Sequence, residues 1–207
     1  MDVYTGYIQD TWRFSGDAPY WAIGDIVKYS VMHSKERYQE LLKQTFKSFE
    51  GLIFPLKTTI VPHHTENNKL PVVINGVDKS LDMNLKDIQR AIEDFGGDIY
   101  ELQIEVAIRV YCKEKDTQEK ITRVWLNLND EITISAGKED PSPSVMFALS
   151  HLLFNPDVSE ISSHNLELYY KNQPLLETAL RNWEERLGTI NEYGGYGAVA
   201  QYGILEE

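Results

Sequence analysis

A regular alternation of apolar and polar residues between Ile99 and Lys113 limits the folds open to this chain more than any other feature. Every second position is apolar, and the positions between them are mostly charged or polar. In chain order, the apolar members are Leu102, Ile104, Val106, Ile108 and Val110. Because successive side chains of a strand point to opposite faces, the pattern predicts a long antiparallel strand with one face buried and one in water.

The residues that follow predict two further strands. The polar segment 114–119 has the composition of a turn, and the alternation resumes from Val124 to Leu128. The pair Asn129-Asp130 favours a second turn before a last short strand. We therefore expect a three-stranded antiparallel meander over about residues 99–136.

Four other segments have helical patterns. In the first, Ser34 suits the N-cap and Gly51 lies where a C-terminal glycine belongs, and in the last, Pro174 suits the first helical position. The predicted helices cover about residues 34–50, 84–95, 144–154 and 174–187. Together with the meander they predict an α+β fold, in which the antiparallel meander packs against amphipathic helices.

The length of 207 residues is compatible with one hydrophobic core. We expect a single domain over residues 1–207. The segment 137–144, which contains Pro141 and Pro143, is the candidate boundary between subdomains.

The formal net charge is −12, and the acidity increases toward the C-terminus, where residues 157–207 hold nine acidic and three basic side chains. A field of this sign repels phosphate backbones and anionic membranes and attracts cationic molecules. We therefore expect a basic protein partner and neither a nucleic acid nor a membrane. An acidic surface that only maintains solubility is the alternative.

The sequence starts without the basic and apolar segments of a secretory signal, and its longest apolar run, Val145 to Phe154, is shorter than the about 20 residues of a membrane span. These features predict a cytoplasmic protein. The only cysteine, Cys112, excludes a disulfide within one chain, and its phase with Ile108 and Val110 predicts a buried, unreactive thiol.

One dense cluster of groups suited to metal or proton chemistry occurs, in which His63 and His64 precede Glu66. Adjacent residues of an extended segment point to opposite sides, so a solvated polar loop is the simpler interpretation. The segment 195–200 has the glycine spacing of a dinucleotide motif but lacks the required following helix, so we expect no cofactor. His151, between apolar residues, is expected to be a core histidine with a hydrogen-bond partner.

Tyrosines are concentrated in the acidic C-terminal third, and tyrosine is enriched at protein interfaces. The residues predicted to bind a partner are Glu177, Glu184, Glu185, Tyr193 and Tyr196. In size, acidity, lack of catalytic motifs and α+β pattern, the chain is similar to the immunity proteins with which bacteria block toxins. That resemblance implies an inhibitor that neutralises a basic partner. A small enzyme that uses His63, His64 and Glu66, and a structural subunit of a larger assembly, are the alternatives.

Overall fold

The computed structural model describes residues 3–4, 18–64, 69–113, 121–137, 142–154 and 164–205. The helices are α1 (Ser34–Ser48), α2 (Leu81–Asp94) and α3 (His164–Leu187), and 3-10 turns cover Val27–Tyr29 and Leu152–Phe154. The strands are β1 (Val3–Tyr4), β2 (Tyr20–Ile23), β3 (Ile53–Pro62), β4 (Val72–Asn75), β5 (Ile99–Lys113), β6 (Ile121–Ser135), β7 (Ser144–Ala148), β8 (Glu192–Gly194), β9 (Val199–Ala200) and β10 (Gly203–Ile204).

The strands form one large sheet in the order β4-β3-β5-β6-β7-β2-β8, and β9 pairs separately with β10. Every pairing along that order is antiparallel, and β1 joins β6 in parallel. The two central strands, β5 and β6, have 15 residues each. The predicted α+β class with an antiparallel sheet is therefore confirmed.

The main core lies between the sheet and the three helices. Alternate residues of β5, such as Leu102 and Ile104, are fully buried there and pack with Leu41 of α1, Ile88 of α2 and Trp183 of α3 in one apolar cluster. Burial of a Leu or Ile side chain contributes about 1.5–3 kcal/mol, so this face of the sheet is strongly fixed. Cys112 is also buried in this cluster, as its phase predicts.

A second, smaller apolar cluster contains Phe54, Leu56 and Ala107, with Leu81 and Trp125 packed against it. Ala107 follows a β-bulge between Val106 and Ala107 and alternates with the core residue Ile108. The cluster therefore covers one end of the sheet on the side opposite the main core.

The predicted helix over 144–154 is wrong. Residues 144–148 form β7, which pairs with β6 and β2, and a 3-10 turn follows at Leu152–Phe154. Val145 and Phe147 are fully buried, whereas Met146 between them is exposed, which is a strand pattern. A short apolar run does not distinguish a strand from a helix, and pairing with two neighbours decided the outcome.

The predicted turn at Asn129-Asp130, and with it a third strand before residue 136, is also wrong. β6 continues through both residues: Asp130 pairs with Val106, and Asn129 lies in the bulge between Asp130 and Asn127. Asn129 has a φ of 62°, which Asn tolerates better than most residues. The Asn129-Asp130 pair therefore correctly indicated an irregular backbone, but the chain does not reverse direction there.

The helix predicted over 174–187 begins ten residues earlier, at His164, so Pro174 lies in the interior of α3. A proline there removes one backbone hydrogen bond and costs about 3 kcal/mol. The first half of the helix is nevertheless held on the sheet, because the buried Asn172 side chain bonds both the amide and the carbonyl of Tyr111, at 2.8 and 3.0 Å. This docking makes Pro174 compatible with a continuous helix.

The helix predicted over 84–95 begins at Leu81, because Ser80 accepts a hydrogen bond from the Met83 amide at 3.3 Å and so acts as the N-cap. Asn84, the predicted cap, is buried instead and donates its amide to the Pro55 carbonyl at 2.6 Å. That bond joins α2 to β3. The predicted helix over 34–50 agrees with α1 within two residues.

Candidate functional site

Three rows of side chains on the side of the sheet opposite the main core define what we call the open face. The strand register places the members of each row opposite one another. The first row is Asn75, Lys57, Glu105, Glu131, Ala148, Tyr20 and Gly194, the second is Val73, Thr59, Gln103, Thr133, Met146, Ala22 and Glu192, and the third is Val61, Glu101, Ser135 and Ser144. All are at least partly exposed, whereas the residues that alternate with them on β5 are buried.

Three carboxylates from the two central strands form an acidic cluster on the open face: Glu101, Glu105 and Glu131. Glu105 and Glu131 are direct register partners on β5 and β6. Each carboxylate accepts a hydrogen bond from a neutral neighbour: Gln103 at 2.6 Å, Asn127 at 3.1 Å and Thr133 at 3.4 Å, respectively. Among the described residues, no Lys or Arg forms an ion pair with any of the three.

The proximity of these carboxylates changes the pKa of Glu131. Partial shielding from water raises the pKa of its carboxyl group above the ordinary value, and the charges of Glu101 and Glu105 raise it further, against the opposing effect of the hydrogen bond from Thr133. The cluster is therefore a place where like charges lie close together and where an added cation would lower the free energy.

Next to the acidic cluster, the open face contains a groove with a volume of about 520 Å³. Its floor consists of short side chains, because Ala22, Thr133 and Ser144 occupy neighbouring strands there. Asp25 and Glu192 line the far side. The Tyr20 hydroxyl donates to Oε1 of Glu192 at 3.0 Å and so orients that carboxylate. In the part of the chain that the structure describes, no Lys or Arg lines this groove.

The three glutamates predicted to bind a partner lie in the second half of α3. Glu177 forms an ion pair with Arg181 at 2.8 Å. Glu184 accepts hydrogen bonds from the Ile190 amide at 3.1 Å, from Gln201 at 2.8 Å and from the Tyr202 hydroxyl. Two of these carboxylates therefore already have partners within the chain, and Glu184 holds the C-terminal segment against α3. Glu185 is exposed.

The two predicted tyrosines follow α3 and are exposed, Tyr193 by 45% and Tyr196 by 56%. Tyr193 lies in β8 opposite Trp21, a core residue, so its register assigns it to the helix side of the sheet edge. Its neighbour Glu192 belongs to the open face. A role of these five residues in partner binding remains a prediction.

The structure describes two of the three candidate metal ligands, His63 and His64. The rings of His63 and His64 lie with their centroids 4.1 Å apart, so the two imidazoles are close despite the extended backbone before them. Glu66 lies outside the described residues. In the part of the chain that the structure describes, no three or more His, Cys, Asp or Glu side chains are arranged to hold a metal ion.

His151 is fully buried, as expected for a core histidine, and so is Asp130 beside it. The Nδ1 atom of His151 accepts a hydrogen bond from the Leu153 amide at 3.2 Å, which assigns the ring proton to Nε2, 3.3 Å from Oδ2 of Asp130. The other carboxylate oxygen of Asp130 accepts from the Ser150 amide at 2.7 Å. The Ser150 bond connects β6 to the turn after β7, whereas the contact between Nε2 and Oδ2 is close but lacks the geometry of a hydrogen bond.

Sequence reasoning did not identify the acidic cluster. The alternation in β5 already assigned Glu101 and Glu105 to its wet face. The position of Glu131 opposite Glu105 depends on the bulge that was misread as a turn. The groove depends on the pairing of β7, which was predicted to be helical.

Comparisons with known proteins identify no relative: the chain matches no protein-family model, no curated protein and no solved structure. Among the described residues, no helix has both the length and the apolar character needed to cross a membrane.

Proposed function

We propose that this chain is an acidic protein-binding module that neutralises a basic protein partner, as an immunity-type inhibitor neutralises a toxin, and that the partner docks on the open face. One observation carries the proposal. Three carboxylates from neighbouring strands meet on the open face, and no Lys or Arg of the described residues forms an ion pair with them.

The electrostatics favour a cationic ligand. Bringing like charges together destabilises the free protein, and a Lys or Arg side chain placed between them removes that repulsion and adds attraction. The net contribution of such close charge pairs varies between interfaces, and measured coupling energies reach about 1.5–7 kcal/mol in a favourable complex. The net charge of −12 also increases the rate of encounter with a basic protein.

The geometry favours a macromolecule over a metal ion. The described residues include no cluster arranged to chelate a metal, and the three carboxylates are spaced along and across two strands. The open face is broad, and it also exposes Val73 by 50% and Met146 by 38%, which provides apolar contact area beside the charges. A surface that combines charge with apolar area suits a protein partner.

The proposal places the interface on a different surface from the one predicted by sequence. Glu177 and Glu184 are partly neutralised or engaged within the chain, whereas Glu101, Glu105 and Glu131 are hydrogen-bonded only to neutral groups among the described residues. A cation from the partner therefore has no ion pair within the described residues to displace at these three carboxylates.

Two variants that each remove three negative charges test the proposal. The first, E101Q/E105Q/E131Q, changes the open face, and the matched control, E50Q/E177Q/E185Q, changes three at least partly exposed glutamates outside its rows. A basic protein is first captured from native extract with the unmodified chain and identified by mass spectrometry. Its affinity for all three proteins is then measured by isothermal titration calorimetry at two salt concentrations.

We expect the open-face variant to bind at least about 30-fold more weakly, with a shallower salt dependence, because a 2 kcal/mol loss is roughly this factor. The control is expected to stay within about threefold of the unmodified chain. Equal weakening by both variants, or weakening by the control alone, would refute docking on the open face. Capture of only acidic or neutral proteins would refute neutralisation of a basic partner.

A further inference from the structure

We infer that the groove on the open face binds an arginine side chain of the basic partner. This inference rests on the proposed function and assigns one part of the interface to one kind of residue. It concerns the groove next to the acidic cluster, not the cluster itself.

The shape of the groove follows from the register of four strands. Thr133, Met146, Ala22 and Glu192 face one another across β6, β7, β2 and β8. Because Ala22 and the neighbouring Ser144 are short, the sheet surface is depressed between the taller side chains of Met146 and Glu192. The volume of about 520 Å³ lies within the range of about 300–1,000 Å³ that ligand-binding clefts show.

The chemistry of the lining selects a cation with several donors. Asp25 and Glu192 supply carboxylates, and Thr133, Ser135 and Ser144 supply hydroxyl oxygens. Among the described residues that line this groove there is no Lys or Arg, so these residues leave the two carboxylates without a cation of their own. A guanidinium group has five N–H donors in one plane and no acceptor, and so it can bond a carboxylate and hydroxyls at the same time. The ammonium of lysine has three donors on a compact charge, which fits a dispersed set of acceptors less well.

The Glu192 carboxylate and the backbone at Asp25 are held in place before any ligand binds. Tyr20 orients Glu192 through its hydroxyl, at 3.0 Å. Asp25 has a φ of 54°, in the left-handed region that non-glycine residues rarely adopt. The backbone beside it is fixed by two bonds, one from the Gly24 amide to Oδ1 of Asn191 at 2.9 Å and one from the Ile26 amide to the Pro143 carbonyl at 3.1 Å. Strain of this kind occurs often at ligand-binding sites, and a preorganised site loses less entropy on binding.

The methylene stem of arginine also has a place to pack. Ala22 on the floor and Met146 beside it present apolar surface. Arginine commonly packs its stem on apolar surface while its charged end reaches polar groups. The groove therefore offers contacts to both parts of the side chain.

Three blocked tripeptides test the inference directly: Gly-Arg-Gly, Gly-Lys-Gly and Gly-citrulline-Gly, titrated into the isotope-labelled protein and followed by NMR. Citrulline has the shape of arginine without its charge. We expect the arginine peptide to shift the amide signals of Gly24 and Asn191 and to bind about tenfold more tightly than the citrulline peptide (about 1.4 kcal/mol), because hydrogen bonds to charged groups are stronger than those between neutral groups. The lysine peptide is expected to bind more weakly than the arginine peptide. Equal binding of arginine and citrulline peptides, or tighter binding of lysine, would overturn the inference.

Two alanine positions locate the binding. Ala22→Leu fills the groove, whereas Ala148→Leu adds the same group to the open face outside its lining. We expect A22L to abolish binding of the arginine peptide and A148L to retain it. If A22L does not fold, Glu192→Gln replaces it, with an expected tenfold loss of affinity (about 1.4 kcal/mol). Unchanged binding in the variant that is used would show that the peptide binds elsewhere.

The same variants separate this inference from the proposed function. If the captured basic protein loses affinity for E101Q/E105Q/E131Q but binds A22L normally, the proposed function stands and the arginine site is refuted. If the arginine peptide binds in the groove but no basic protein partner is captured, the arginine site stands and the proposed function is refuted.

Discussion

The two sides of the sheet are made from the same strands, yet their residue types have different physical reasons. On β5, Leu102 and Ile104 are fully buried under the helices, whereas Gln103 between them is exposed on the open face. The covered side is explained by packing, because each apolar side chain there contributes to stability. The acidic cluster makes the opposite contribution to stability, since the repulsion between its carboxylates opposes folding. Binding to a cationic molecule gives this arrangement a physical reason that stability does not.

Substitution by a charged residue on either side of the sheet is expected to show this contrast as the largest change in stability. We expect Ile104→Asp and Trp183→Asp each to abolish the cooperative thermal unfolding transition, because both side chains are fully buried and an unpaired charge there costs several kcal/mol. Circular dichroism during heating measures this. The matched change on the open face, Thr59→Asp, is expected to cost less than about 1 kcal/mol. A core variant that melts like the unmodified protein would contradict the assignment of the two sides.

The buried pair of His151 and Asp130 is a polar exception on the covered side. We expect His151→Leu to lower the free energy of unfolding by about 3 kcal/mol, because it leaves the Asp130 carboxyl group buried without its neighbour. Urea denaturation measures the change. The double variant D130N/H151L, which removes the carboxyl group and keeps an acceptor for the Ser150 amide, is expected to recover at least about 1 kcal/mol. A single variant as stable as the unmodified protein would mean that the pair does not join β6 to the turn after β7.

The smallest effect concerns Glu131. A carboxyl group whose pKa is raised in the folded state makes no contribution below its ordinary value of 4.5 and destabilises the protein as the pH rises above it. We therefore expect Glu131→Gln to increase the free energy of unfolding at pH 7, by less than about 1 kcal/mol because water screens this exposed group, and to have no effect near pH 4. Urea denaturation at both pH values checks the prediction.

Glu177→Gln is the control, and it is expected to lower the free energy of unfolding, since it removes the ion pair with Arg181. A Glu131→Gln variant less stable than the unmodified protein at pH 7 would show that the cluster is already compensated.

Elements with a long, regular pattern were predictable from sequence. The alternation of β5 and the helical spacing of α1 each extend over 15 residues in the structure, so a few exceptions did not obscure the period. The short segment Ser144–Ala148 has too few residues to distinguish a strand from a helix. Pro174 and Asn129 are locally typical of a helix start and a turn, and each was overruled by contacts with distant residues, through Asn172 on Tyr111 and through the pairing of β6 with β5.

The same limit applies to the candidate site. The composition and the wet face of β5 indicated an acidic protein with Glu101 and Glu105 in water. The concentration of acidic residues in the C-terminal third suggested α3 as the binding surface, but sequence cannot show that Glu177 and Glu184 already have partners. It also cannot show that Glu131 lies opposite Glu105, 26 positions away along the chain.

The sequence by itself determined the class of fold, the buried side of the central strand and the sign of the charge, because these depend on the period and composition of neighbouring residues. The tertiary structure alone decided which carboxylates form ion pairs, which meet without an ion pair among the described residues, and where short side chains on neighbouring strands form a groove. The physical reason is that strand register and helix docking set the distances between residues far apart in sequence, and the energies of charges and hydrogen bonds depend on those distances.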